Sequence, residues 1–417
     1  MSKANNKMMR KNLKLGLFGF GCVGQGLYDV LQQTPGIKAE IKRICIKDPN
    51  KKRTLKSAYF TLNANDILDD PEINVVVELI DDADAAYQLV TAAMRNGKSV
   101  VTANKKMVAE HLEELYQLQQ IYDVSLLYEG AVCASIPILR NLEEYYDNDL
   151  LTAVEGIFNG STNYILTKVF DEGVPFDKAL KQAQKNGFAE TDPSLDLEGW
   201  DPKFKLSIIL AHAFGIFVLP DHIFHSGIEK LSDFDVKIAR EKGCKIKLVA
   251  NCKKIGDEVY GWVMPQFVKP DSDLHRVNNE YNAVILEGAF SERQFMVGKG
   301  AGGYPTGSAV LSDISALTYD YRYEYKKLNQ DGAVEYSGDF LLEVYVRYAR
   351  GCRFDRAAFE HITESFEGAE SCYTIGEIRL SAIGKILKSS TFNIIQIGTP
   401  GKLKEDNHKY LEALHLN

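Results

Sequence analysis

An α/β fold, opening with a doubly wound parallel sheet and continuing as α+β structure, is predicted from three observations. Apolar strand-like runs alternate with helix-like stretches over the first 148 residues, and strands alternating with helices pair in parallel. A glycine cluster sits at the first strand-to-helix junction, and the pattern changes from about Asp149 onward.

The elements follow in order. After a short flexible arm (1–12), Leu13 to Phe18 is a largely apolar strand that enters Gly19-Phe20-Gly21-Cys22-Val23-Gly24, and a helix runs on through Leu31. Ile41 to Ile46 reads as a second strand and Asn74 to Ile80 as a buried parallel one. Ala85 to Arg95 has helical spacing, Gly97 ends it, and Ser99 to Thr102 is the next strand. This makes a Rossmann-type dinucleotide-binding domain over 13–148, to which 308–330 returns. A catalytic and dimerisation domain of α+β type spans 149–307. Thr152 to Phe158 is its first strand, helices lie near Tyr164 to Phe170 and Phe176 to Lys185, and strands fall within Glu258 to Glu287. Asp201 to Phe214 is a strong helix, with Asp201 as cap and Pro202 in the first turn. The glycine-rich Gly298 to Gly307 leads into a helix over Ser308 to Tyr319. The tail, 337–417, reads as a small α+β module: a strand at Phe340–Tyr348, a helix at Arg356–Phe366, a short strand, a helix at Leu380–Ser389 and a strand at Thr391–Ile397.

Composition narrows the function. A chain of 417 residues exceeds one ordinary core, and 45% hydrophobic with 25% charged residues is a soluble globular profile. The net charge of -8 is spread along the chain, which argues against nucleic acid as a partner. Seven cysteines without a C-x-x-C pair read as reduced cytosolic thiols. The polar, basic N-terminus is not a secretory signal. The apolar stretch Leu206–Leu219 contains His212 and Gly215 and is shorter than the roughly 20 residues a membrane span needs. A cytoplasmic protein without a membrane partner is expected.

Gly19-x-Gly21-x-x-Gly24 follows a strand and opens a helix. One glycine makes the tight turn, one admits the pyrophosphate and one packs helix on strand, while the helix N-terminus attracts the phosphates. Gly19, Gly21, Cys22, Val23 and Gly24 are therefore cofactor candidates. After the second strand comes Lys47-Asp48-Pro49-Asn50-Lys51-Lys52-Arg53. A cation there suits a 2'-phosphate and a carboxylate suits a free ribose, so Lys47 favours NADP while Asp48 keeps NAD open. Lys51 to Arg53 read as a solvated loop.

Residues 189–201 pack five acids, Glu190, Asp192, Asp196, Glu198 and Asp201, ahead of a helix carrying Lys205. Asp201 and Lys205 are i and i+4 and can meet. Lys205 neighbours Ile208 and Ile209, an apolar face where a solvated lysine is less expected. Spacing alone leaves open a capping aspartate and a snorkelling lysine.

Five segments in order, VVTANKK (Val100–Lys106), YEGAVCASIPIL (Tyr128–Leu139), GIFNGSTNYIL (Gly156–Leu166), AETDPSLDLEGWDPKFKLSIILA (Ala189–Ala211) and GKGAGGYPTGSAVLSDI (Gly298–Ile314), resemble the signatures of the homoserine dehydrogenases. The resemblance covers about residues 13 to 320, and the acidic loop running into the lysine helix is its most specific part. It implies NAD(P)-dependent interconversion of L-aspartate 4-semialdehyde and L-homoserine, in threonine, methionine and isoleucine biosynthesis. By the same resemblance Lys205 is the proton donor and Lys105 the second lysine. Glu190, Asp196 and Asp201 would bind substrate with Gly160 and Ser161, and Thr102, Lys105, Gly187 and Gly302 would approach the cofactor. Glu129, Val132, Ala134 and Ile136 would form a sodium site made largely of backbone carbonyls, and the assembly would be a homodimer or higher. A protonated lysine suits charge developing on the aldehyde oxygen, and the reverse reaction needs it neutral, so oxidation should quicken at alkaline pH.

The chain departs from that family at Asp81-Asp82, where a glycine pair is usual, at Cys133, Ala134 and Ser135, normally glycine-rich, and at Phe188, where tyrosine is common. Ser161 replaces a threonine and keeps the hydroxyl. Cys133 as a nucleophile lacks a nearby histidine to activate it. The tail sits where relatives carry an ACT regulatory domain, and an extra subunit contact is its alternative. A different semialdehyde oxidoreductase, or a cofactor-binding sensor without turnover, are the competing readings.

Overall fold

The computed structural model describes residues 11–397 except Thr54, Asp149, 331–333, 353–354 and 387–391. Most of the expected arm and the end of the tail module lie outside the described residues. Six short strands come first: β1 (Leu13–Phe18), β2 (Ala39–Cys45), β3 (Phe60–Thr61), β4 (Val75–Glu78), β5 (Ser99–Thr102) and β6 (Leu126–Leu127). They pair in the order β3-β2-β1-β4-β5-β6, all parallel. The winding reverses between β1 and β4, which is where such sheets bind ligands. β4 is buried at every residue and β1 at all but one, as strands covered on both faces must be. Helices α1 (Cys22–Gln32), α2 (Asn65–Leu68), α3 (Ala83–Arg95), α4 (Lys105–Tyr122) and α5 (Ile138–Glu144) complete this stretch.

The chain then builds a mixed sheet. It runs through β7 (Leu151–Ile157), α6 (Gly160–Asp171), α7 (Phe176–Lys185), α8 (Ser194–Leu197), α9 (Trp200–Phe214), β8 (Phe224–His225) and α10 (Asp233–Glu241). Long strands β9 (Lys245–Ile255), β10 (Glu258–Val268), β11 (Tyr281–Gly288) and β12 (Glu292–Lys299) follow, then α11 (Gly303–Leu317). The tail adds β13 (Glu335–Tyr336), β14 (Leu341–Ala349), β15 (Phe359–Glu367), β16 (Ser371–Arg379), α12 (Leu380–Ile386) and β17 (Asn393–Ile397). Nine strands run in the order β12-β11-β7-β9-β10-β17-β14-β16-β15, with β8 and β13 also paired to β10.

Two compact units result, 1–147 with 298–326 and 148–297 with 327–417. The tail, expected as a module of its own from 337, continues the second unit's sheet through the parallel pairing of β10 with β17. Asp235 at the start of α10 fastens it. That carboxylate is fully buried and accepts hydrogen bonds from Tyr345 Oη (3.0 Å), Arg347 Nε (2.9 Å) and Asn393 Nδ2 (3.0 Å).

The helix expected over Arg356–Phe366 is instead a 3-10 turn followed by strand β15. The apolar spacing of Phe359 and Ile362 looks helical, but the pairing with β16 shifts register between Phe359 and His361 and again between Ile362 and Glu364. Phe359 opposes Ile378 and Ile362 opposes Gly376. An extra residue in the strand thus puts side chains three apart on one face.

The return to the first unit begins at Gly298, earlier than the expected 308, because α11 starts at Gly303 and lies close against α1. A Cβ on Gly26 would collide with the Gly303 carbonyl, and one on Gly307 would come within 2.6 Å of Leu27 N. Two helices approach backbone to backbone here. In an open helix Gly26→Ala would stabilise by about 1 kcal/mol. Here overpacking should reverse the sign, with a net loss of about 1–3 kcal/mol, measured by urea denaturation against an exposed Gly→Ala control at Gly36.

Candidate active site

In the first unit the nucleotide junction is built from backbone. Gly19 adopts φ +94, and a Cβ there would meet the Leu79 carbonyl at 2.6 Å. A Cβ on Gly24 would approach the Gly19 carbonyl at 2.8 Å, whereas one on Gly21 would meet nothing within 4 Å. The space beside Gly21 is what a pyrophosphate would use. α1 begins at Cys22 with no side-chain cap and no acid in its first turn, so the amides of Cys22, Val23 and Gly24 carry undisturbed positive character. Cys22 is exposed at this edge. Gly302 (φ +117) precedes α11, and a Cβ on Gly303 would press on the Cys22 carbonyl at 2.8 Å. The residues present fit a dinucleotide.

Around this junction, Lys47 is exposed just past β2, and Asp48 turns its Oδ1 back to accept from Asn50 N at 2.8 Å. Arg53 lies over the Phe60 ring at 5.4 Å. Thr102 ends β5 and donates to Glu78 Oε2 at 2.5 Å. Burial pushes that glutamate up to about 7. Asn104 caps α4, which makes half-buried Lys105 its first residue. Of the unexpected pair Asp81-Asp82, Asp82 caps α3 by accepting from Ala85 N at 3.0 Å.

The segment expected to hold sodium is a buried turn. Glu129 is 3% exposed, and both its oxygens accept backbone N–H groups at the start of α5, from Leu139 (2.9 Å) and Arg140 (3.0 Å). Burial and the neighbouring Asp313 raise it to about 8. Ala134 has φ +42, and Val132 and Ile136 are buried beside it. No cluster of His, Cys, Asp or Glu among the described residues could hold a metal, so a cation at this turn would depend on main-chain carbonyls. Cys133 is completely buried, which removes it from reach as a nucleophile.

In the second unit the lysine site is assembled on α9, buried from Asp201 to Phe214. The helix starts at Trp200 after left-handed Gly199 (φ 87), so Asp201 lies in the first turn and not at the cap. Only a glycine readily makes the sharp turn out of α8. Lys205, 5% exposed, donates to Asp201 Oδ2 at 2.8 Å and to the Phe158 carbonyl at 2.6 Å. Asn159, the cap of α6, donates to Asp196 Oδ1 (2.7 Å) and Asp201 Oδ2 (2.9 Å). Asn282 donates to the same Phe158 carbonyl at 3.0 Å. Gly160 must be glycine, since a Cβ would stand 2.6 Å from the Glu280 carbonyl. Ser161 Oγ donates to the Phe188 carbonyl at 2.5 Å, and the Phe188 ring lies 4.8 Å from that of Tyr164. Left-handed Gly187 lies just past the end of α7. Glu190 is exposed, its carbonyl accepting from Gln184 Nε2 at 3.0 Å. Asp196 is thus brought to Lys205's neighbourhood through Asn159, while Glu190 stands at the exposed start of the acidic loop.

Sequence reasoning missed Asn159, Asn282 and the Phe158 carbonyl. An Asn-Gly pair before a helix is a readable cap signal, but its second task depends on a loop some 40 residues away. It also missed Lys203, buried 3.7 Å above the Trp200 ring and driven down to about 8 by desolvation against a counter-pull from Asp221. Lys203 binds fewer protons folded than unfolded between about 8 and its ordinary 10.5. Stability should therefore rise with pH across that window. Lys203→Met should flatten the rise, as read from urea midpoints at pH 7.5, 9 and 10.

A family model described as homoserine dehydrogenase matches residues 137–315, and one described as homoserine dehydrogenase, NAD binding domain, matches 19–129. The homoserine dehydrogenase of Bacillus subtilis is 35% identical over 321 residues, covering 75% of this chain and 74% of its own. That of Helicobacter pylori is 36% identical over 316 residues, covering 73% and 74%. The crystal structure of a homoserine dehydrogenase from Thiobacillus denitrificans superposes with TM-score 0.82 at 29% identity, covering 93% of this chain and 98% of that one.

Proposed function

The chain belongs to the homoserine dehydrogenase family, and on that premise we propose that Lys205 is the acid–base group of its hydride transfer between L-homoserine and L-aspartate 4-semialdehyde. It is an oxidoreductase with a nicotinamide dinucleotide cofactor. The bound nicotinamide supplies or accepts the hydride. The observation carrying the reading is the pair of short bonds from Lys205 Nζ to Asp201 Oδ2 and the Phe158 carbonyl. An ammonium has three hydrogens, so two fix its direction and the third serves a reacting oxygen. In reduction the lysine gives its proton to the oxygen on which charge develops. In oxidation the free amine takes the hydroxyl proton as hydride leaves the adjacent carbon. Asp201 holds the lysine in place through Oδ2, and Glu190, Asp196, Gly160 and Ser161 line the substrate's surroundings. Lys105, at the N-terminus of α4, assists the same oxygen or the cofactor.

NADP is the preferred dinucleotide. Lys47 stands exposed past β2, while Asp48 commits an oxygen to Asn50 and offers less to a ribose hydroxyl. Gly19, Gly21, Cys22, Val23, Gly24, Thr102, Gly187 and Gly302 complete the cofactor's contacts. Sodium would be held by the carbonyls of Glu129, Val132, Ala134 and Ile136, bracing the turn before α5. A homodimer or larger assembly is supported by β12, whose Phe295 and Val297 are exposed. No helix among the described residues is long and apolar enough to cross a membrane.

Homoserine-dependent reduction of NADP and NAD, measured side by side by the absorbance of the reduced nicotinamide, tests this directly. Lys205→Ala should lose about 10²–10⁴-fold in kcat while the fold persists by circular dichroism; near-normal turnover would sink the assignment. Lys47→Ala should raise KM for NADP about tenfold, the loss of a charged hydrogen bond or roughly 1.4 kcal/mol, and leave KM for NAD nearly unchanged. Equal effects on both cofactors would remove Lys47 from the site.

A further inference from the structure

We propose that Asn159 is a positioning residue of the substrate site, one amide that holds Asp196 and Asp201 together and fixes which oxygen of Asp201 meets Lys205. The proposal rests on the reading of Lys205 and Asp201 given above. Asn159 joins β7 to α6 and is 4% exposed. Its Oδ1 accepts from Thr162 N at 2.8 Å and from Thr162 Oγ1 at 3.0 Å. A backbone N–H can only donate, so the amide oxygen is pinned toward α6 and the nitrogen must face the other way. Both of its hydrogens are then used, one on Asp196 Oδ1 and one on Asp201 Oδ2.

Two carboxylates brought to one nitrogen would repel without a donor between them. The amide offsets part of that repulsion without adding charge, which a lysine or arginine there would do while competing with Lys205. Asp201 Oδ2 receives both Lys205 and Asn159, so the same oxygen is held from two sides and the carboxylate cannot rotate freely. The preceding residue completes the arrangement, because the Phe158 carbonyl is the second acceptor of Lys205. One dipeptide therefore sets both bonds that aim the ammonium.

The test compares the full-length wild type, Asn159→Ser, Asn159→Asp and Lys205→Ala in homoserine oxidation from pH 7 to 10, with thermal melts alongside. Serine keeps the helix cap and loses the two donors. It should melt within a few degrees of wild type and lose about 10²-fold in kcat/KM, the size of effect an ångström of misplacement produces. Aspartate keeps the shape and the cap but sets a third carboxylate beside the pair. It should lose at least as much and move the alkaline midpoint of oxidation upward by about one unit, since added negative charge favours the protonated lysine. A serine variant within threefold of wild type, a midpoint unmoved in the aspartate variant, or a serine variant that fails to fold would each overturn the proposal. Turnover in the wild type with loss in Lys205→Ala keeps the underlying reading intact in all three cases. A wild type inert toward homoserine overturns both.

Discussion

An ammonium buried among apolar side chains is costly unless its hydrogens find partners, and α9 carries one at Lys205 in the most enclosed helix of the second unit. Its partners cannot come from α9 alone. Asp201 supplies one, a turn earlier, and the other is a main-chain carbonyl at the end of β7. That requirement constrains the surroundings: β7 must end at Ile157, α6 must start immediately after, and Gly160 must lack a side chain so that the backbone of Glu280 can close on it. The sheet supplies the rigidity, since β7 pairs with β9 and β11 on its two edges.

The nucleotide end obeys a different rule. The junction between β1 and α1 is made of absent side chains, with room beside Gly21, close contact at Gly19 and Gly24, and uncapped amides on α1. Where the second unit aims a charge by surrounding it with donors and acceptors, the first leaves a dipole exposed and lets an anion come to it.

Much of this was legible in the chain. The glycine spacing and the strand–helix alternation foretold the parallel sheet, because both are local signals. The Asp201–Lys205 pair was visible because it spans one helical turn. What could not be read depends on distant partners. β9 escaped notice because Lys245, Lys247, Lys253 and Lys254 interrupt its apolar pattern; yet Lys247 is buried, bonded to Asn163 Oδ1 (2.8 Å) and the Val277 carbonyl (2.6 Å), and lowered to about 7 by desolvation. Register shifts in β15 imitated a helix. Asn159 announced itself as a cap, while its grip on two aspartates needed the acidic loop folded in place. The task of the Glu129 side chain was equally out of reach, since both its oxygens serve the backbone of α5, ten residues on.

The contact between α1 and α11 also has a consequence for synthesis on the ribosome. Helix α1 is complete by residue 32, but the glycines that receive its Gly26 face lie at 303 and 307. At roughly 5–20 residues per second, the intervening stretch takes on the order of ten to fifty seconds to emerge. Throughout that interval the nascent nucleotide-binding unit displays an unmatched, closely packing surface. Chaperone dependence, and sensitivity to slow or truncated translation, should therefore concentrate on this early helix and not on the later-made lysine site.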